Sequence, residues 1–186
     1  MFAMQRSRLS AASRTAWFAL PAIVGIAAAL VAVPVVSAAD LDSLAARVQQ
    51  LEDREEIREL LLAYGRALDS RDFVAFSDLF AEEEGEWVGG LGAAKGREAI
   101  FKLMDETIGH NRPRTGPPSY HVFSNEQINV DGDRASATTK WIFVMQNDET
   151  SPRWVYLGHY DDTFIREDGR WRFLRRQAFT DIPTQQ

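Results

Sequence analysis

The chain has 186 residues, room for one ordinary domain with an extension at one end. Hydrophobic residues at 45% and charged residues at 26% make a globular composition and exclude wholesale disorder; a net charge of -6 with scattered Lys and Arg argues against a nucleic-acid partner. With no cysteine, disulfides, thiolate metal sites and cysteine nucleophiles are excluded.

The first forty residues differ from the rest. Met1 to Thr15 carries Arg6, Arg8 and Arg14 and no acid, and Ala16 to Val36 runs without a charge. Val36-Ser37-Ala38 or Ser37-Ala38-Ala39 offers the small residues that a signal peptidase needs. The segment 1–39 is therefore expected to be an export signal, cleaved near Ala38 or Ala39, with the mature protein periplasmic or secreted. The run is also long enough to span a bilayer as a retained anchor. Pro21, Pro34 and the small-residue end favour cleavage, and the lack of an Arg-Arg pair favours the general secretory route. Cleavage removes three arginines and no acid, leaving 18 basic against 27 acidic residues, or -9, in an exported domain over 40–186 with no membrane segment.

From Asp40 to Leu68 apolar residues recur at three- and four-residue steps, the helical period. The leading part, 40–56, is sparse enough in apolar residues to protrude or pack on a partner; from Ile57 the pattern is that of a core helix. Asp69-Ser70-Arg71-Asp72 reads as a turn, with Asp72 capping a short helix whose apolar face is Phe73, Phe76, Leu79 and Phe80. Glu82 to Gly92 reads as a loop or short strand around Trp87 and Val88. Gly96 opens a third helix that ends near Gly109, with His110 expected to face water. After a Pro/Gly-rich connection come four strand-like runs, Tyr120–Val130, Arg134–Gln146, Trp154–Arg166 and Arg170–Thr180. Asp131-Gly132-Asp133 and Glu167-Asp168-Gly169 between them are hairpin turns. Helices first and an antiparallel meander afterwards predict an α+β domain, with the helices on one face of a curved sheet.

Three polar residues fall where a core or pocket face is expected. Tyr64 follows Ile57, Leu60 and Leu61 on the helix stripe, Asp69 lies at the helix end, and His121 alternates with Phe123 and Asn125 on one strand face. A carboxylate beside a histidine fixes its tautomer and stabilises the imidazolium formed when the other nitrogen takes a proton. A nearby phenol can bond an oxygen as it becomes an enolate, or protonate a leaving hydroxyl. His159, which shares a face with Asp161, is the rival to His121. Asp161 and Asp162 are strand neighbours on opposite faces, as are Arg175 and Arg176, so neither pair converges. Trp141, Trp154, Trp171, Phe123, Phe143 and Phe179 read as core and pocket lining suited to an apolar, even polycyclic, ligand. Two histidines among scattered acids do not make a metal site, and no metal is expected.

The spacing Ile57-x6-Tyr64-x4-Asp69, then Gly96-Arg97-Glu98-Ala99-Ile100, then His121-x3-Asn125, resembles the SnoaL-like family of the nuclear-transport-factor-2-like superfamily. So does the ending Gly158-x-Tyr160-x-Asp162 with Asp168-Gly169-Arg170-Trp171, and the likeness runs from about Leu41 to Ile182. The resemblance implies a curved antiparallel sheet forming a cone, closed by about three N-terminal helices, with a pocket inside. It implies lyase or isomerase chemistry of the dehydratase kind, in which a His–Asp pair abstracts a proton without metal or organic cofactor. By position Asp69 and His121 match that pair, and Tyr64 matches the tyrosine of the family's bile-acid dehydratase. Asn125, Trp141, Phe123 and Tyr160 would contact the substrate. The same scaffold also serves binding proteins, so a pocket for an apolar ligand without catalysis is the alternative. The resemblance further implies a homodimer or homotrimer paired through the exposed sheet face.

Overall fold

Ser37 caps the first helix: its side chain accepts from the Asp40 N–H while Asp40 reaches back to the Ser37 N–H, a reciprocal capping box. It starts α1, Ala38–Ser70. The structure, a computed structural model, describes residues 37–113, 116–147 and 151–183; the expected signal sequence, apart from its last three residues, lies outside them. Residues 37–52 are exposed throughout, and Asp53 is the first buried side chain of α1. From there Ile57, Leu60, Leu61, Tyr64 and Ala67 turn one face into the core. The break in the apolar pattern before Ile57 thus marks where the helix meets the domain.

Asp72 caps α2, Phe73–Ser77, by accepting from the Ala75 N–H. α3, Arg97–Thr107, follows Gly96, whose φ of 84° is left-handed and suits glycine. Arg97 then ties this helix to the sheet, donating to the Phe80 carbonyl and to Glu167 in the last hairpin.

The long strands are β3, Ser119–Asp131; β4, Arg134–Gln146; β5, Pro152–Glu167; and β6, Arg170–Ile182. They form the expected antiparallel meander, with hairpins at Asp131–Arg134 and Glu167–Arg170. Two short strands, β1 Glu86–Gly89 and β2 Gly92–Lys95, extend it to six in the order β2-β1-β6-β5-β4-β3. The sheet is curved and unclosed, with β2 and β3 at its edges. β1 runs parallel to β6, which is the one departure from an antiparallel sheet. The concave face carries Trp141, Tyr160, Phe164, Trp171 and Phe173 against the helices. This is the α+β cone with three N-terminal helices that the sequence predicts.

Candidate active site

Asp69 is the penultimate residue of α1, where the unpaired carbonyls of the helix end already carry partial negative charge. A carboxylate there runs against the local electrostatics and needs a partner from elsewhere. It finds one across the fold. Oδ2 accepts the backbone N–H of His121 at 3.0 Å, and Oδ1 accepts the imidazole Nδ1–H at 2.7 Å. Two bonds to one carboxylate fix both the position of β3 and the rotation of the ring. The side chains remain only 18% and 20% exposed, so water screens the pair little. With Nδ1 committed as donor, Nε2 carries the lone pair and is the nitrogen available to a ligand.

His121 borders a cavity of about 370 Å³ whose wall includes Tyr64, Trp87, Met104, Trp141, Tyr156 and Tyr160. Its ring stands 4.8 Å from that of Phe143 and 6.4 Å from that of Trp141. Opposite in kind is Tyr64, 1% exposed. Its hydroxyl oxygen accepts the Trp87 Nε1–H at 3.0 Å and is also hydrogen-bonded to Tyr160. Burial pushes the Tyr64 phenol above its ordinary pKa against the pull of Arg176, and pushes Tyr160 further up. The Trp87 N–H takes one lone pair of the Tyr64 oxygen, and the two phenols share the other hydrogen bond.

The motif Gly158-x-Tyr160-x-Asp162 is the inner face of β5 read by alternation. Gly158 sits in register with Trp141, and a Cβ there would collide with the Trp141 ring and the Phe179 carbonyl. Tyr160 supports Tyr64. Asp162 forms a two-pronged ion pair with Arg176, at 2.8 and 2.7 Å, inside the core. The Arg176 guanidinium lies 4.0 Å from the Tyr64 ring centre, 4.1 Å from Tyr160 and 4.3 Å from Phe173. A cation beneath the Tyr64 ring strengthens its hydroxyl as a donor. The sequence set Arg175 and Arg176 on opposite strand faces; that Arg176 is buried, underpins Tyr64 and pairs with Asp162 was not readable. Trp87 was also missed as a ligand of Tyr64, because a four-residue strand gives no alternation to read.

Some predicted residues stand elsewhere. Asn125 does not line the cavity: the pairing of β3 with β4 slips between Ser124 and Gln127, and Asn125, at φ 53°, is turned out to solvent. The bulge breaks the alternation that was to carry it inward. Phe123 is on the inner face but packs on Gly65 of α1, behind the tyrosines, with its ring 5.8 Å from Tyr160. Trp154 is 62% exposed, and Phe179 stacks on His159 rather than lining the pocket. His110, expected to face water, is half-buried and accepts the Phe73 N–H through Nδ1 at 3.0 Å, which anchors α2. His159 pairs with Asp181, at 2.8 Å, on the convex face. Among the described residues no group of three or more His, Asp or Glu gathers to hold a metal.

Comparison with known proteins adds to this geometry. The profile of the SnoaL-like domain matches residues 49–177. An uncharacterized protein of Mycobacterium tuberculosis is 30% identical over 138 residues, covering 73% of this chain and 90% of its own. Among solved structures, an NTF2-like protein with a cystatin-like fold from Novosphingobium aromaticivorans has a TM-score of 0.67 at 32% identity, over 80% of this chain and 94% of that one. A protein of the same bacterium provisionally named a scytalone dehydratase has a TM-score of 0.58 at 26% identity, over 72% and 87%. LinA, at 20% identity and a TM-score of 0.60 over 73% and 90%, is a likeness of fold alone.

Proposed function

This chain belongs to the SnoaL-like family, and on that footing we propose that it is a cofactor-independent lyase or isomerase, dehydratase-like, acting on a small apolar or polycyclic substrate. The observation that supports this reading most is a histidine doubly tied to a half-buried carboxylate and bordering an aromatic-walled cavity. His121 Nε2 takes a proton from carbon, and Asp69 stabilises the imidazolium. The electron pair moves toward an adjacent carbonyl, whose oxygen the Tyr64 O–H bonds as charge develops. Expulsion of a β-hydroxyl, which takes that proton from the His121 imidazolium and leaves as water, gives elimination and restores the base; return of the proton at another carbon gives isomerisation. Trp141 and Tyr160 supply the apolar wall.

The test uses a panel of polycyclic ketones bearing an acidic C–H, incubated with the protein in deuterated water. The wild-type protein is expected to exchange the proton next to the carbonyl or to eliminate water, and His121→Gln to do neither while keeping ligand affinity. Equal binding by both proteins with no exchange by either would make the cavity a binding site only, the alternative function of this scaffold.

The same reading keeps the protein exported after loss of residues 1–39; amino-terminal sequencing that found Met1 on a membrane-bound chain would reject it. It also has the protein as a homodimer or homotrimer. Cross-strand rows of apolar side chains support this on the convex face, Tyr120–Val144–Trp154 and Val122–Ile142–Leu157–Ile182. Tyr120, Val122, Trp154 and Ile182 are 63%, 47%, 62% and 58% exposed.

A further inference from the structure

The leading part of α1 presents a feature that the pocket does not use. Its large exposed apolar residues are Leu41, Leu44, Val48, Leu51 and, further on, Leu62. The first four follow a strict 3-4-3 spacing, which assigns Leu41 and Val48 to position a, and Leu44 and Leu51 to position d, of a heptad. Leu62 is again an a position. Of the residues that α1 buries in the domain, Asp53, Ile57, Leu60, Tyr64 and Ala67 fall at c and f, on the opposite side of the helix, while Leu61 at g and Gly65 at d are buried only well beyond the projecting part. The stripe therefore faces away from the body that holds the helix. It stands out over residues 38–52, roughly 22 Å of helix at the usual rise per residue. The match to the SnoaL-like domain starts at residue 49, so most of this projection precedes the matched part.

We propose that the projecting part of α1 pairs with the same segment of a second copy as a short, parallel, two-stranded coiled coil. Leucine at both d positions with a β-branched Val48 at one a position is the pattern that favours two parallel strands. The charges at the edges agree. Arg47 occupies g and Glu52 the following e, so in a parallel pair Arg47 of each chain meets Glu52 of the other, and Arg54 and Glu59 repeat the relation one heptad on. An antiparallel arrangement would instead set Arg47 against Arg47. The seam ends where Glu55 and Arg58 take the next a and d positions and pair with each other and with Glu126. Two heptads are too short to form a helix unaided, but here the helix is held from Asp53 onward, so pairing does not have to nucleate it. Separate domains on the c and f sides leave the seam free on both chains.

The lack of native cysteine makes a direct test possible with the full chain. Leu44→Cys places one thiol at a d position, and Ala46→Cys one at f on the outer side. Under mild oxidation the Leu44→Cys protein is expected to form disulfide-linked dimer at least tenfold faster than the Ala46→Cys protein. Adding Arg47→Glu to Leu44→Cys should slow the reaction, and adding Glu52→Arg to that double variant should restore it. Equal rates at the two positions, or no cross-link at either, would overturn the proposal. So would faster linking in a mixture of Leu44→Cys with Val48→Cys chains than with Leu44→Cys alone, because that pairing is antiparallel. Loss of catalysis in the deuterium experiment would leave this result untouched.

Discussion

The two faces of one sheet carry the same chemical device in different surroundings. On the concave face His121 donates to Asp69 at 2.7 Å; on the convex face His159 donates to Asp181 at 2.8 Å. The inner pair is held by a second bond, from the His121 backbone, and borders the aromatic cavity. The outer ring lies flat on Phe179, 4.7 Å away, and its carboxylate is shared with Lys140 at 3.4 Å. Asp181 is 37% exposed. Burial pushes its carboxyl up, but the bonds from His159 and Lys140 outweigh that and hold it below the usual range. A His–Asp hydrogen bond is thus not itself a base site. Enclosure, and a place in the wall of a cavity, separate the inner pair from one that braces a strand.

The largest expected effect breaks this comparison directly. Asp69→Asn or His121→Gln should lower turnover by roughly 10²–10⁴, the range for removing a positioned general base. Asp181→Asn or His159→Gln should leave it within about twofold. Deuterium exchange read by mass spectrometry measures both, and equal losses in the two sets would show that enclosure does not matter.

Stability should follow the same division. Asp162 is buried against Arg176, whereas its neighbour Asp161 is on the exposed face and accepts from Thr138. Asp162→Ala should cost about 3–5 kcal/mol by urea denaturation, because it leaves a buried arginine unpaired. Asp161→Ala should cost about 0.5 kcal/mol or less.

Tyr64→Phe removes the oxygen that both Trp87 and Tyr160 use. The buried Trp87 donor loses its acceptor and Tyr160 loses its partner, with an expected cost of about 1–3 kcal/mol. The loss should appear in thermal unfolding without any change in secondary structure by circular dichroism. Tyr120→Phe, on the convex face, should change nothing measurable.

The smallest effect concerns Asp53, where α1 enters the domain. Burial pushes its carboxyl up, but hydrogen bonds from Arg166, Gln49 and Trp171 outweigh that and leave it below the ordinary value. A depressed folded-state pKa gives stability that is complete above the unfolded carboxylate's pKa, near 4, and is lost as pH falls through the folded value. Melting temperature should therefore drop below about pH 4 in the wild-type protein, and this drop should be shallower in Asp53→Asn.

What the sequence determined by itself was local and periodic. The core stripe of α1, the Asp72 cap, the Asp-Gly hairpins and the four long strands each follow from spacings a few residues wide, and these suffice for the α+β architecture. Asp69 was legible through the family resemblance, since an acid at a helix end reads by itself as a turn or cap residue. What spacing cannot hold is contact between distant segments. The pairing of Asp69 with His121 spans 52 residues and Trp87 reaches Tyr64 over 23, so chain geometry alone could not choose His121 over His159. Asn125 shows the same limit in reverse. Alternation sent it inward, but one slip in the β3–β4 ladder moved it to the other side, and a slip depends on the partner strand as much as on the residue. The burial of Arg176 was decided the same way, since only the folded core brings Asp162 and three aromatic rings around one charge.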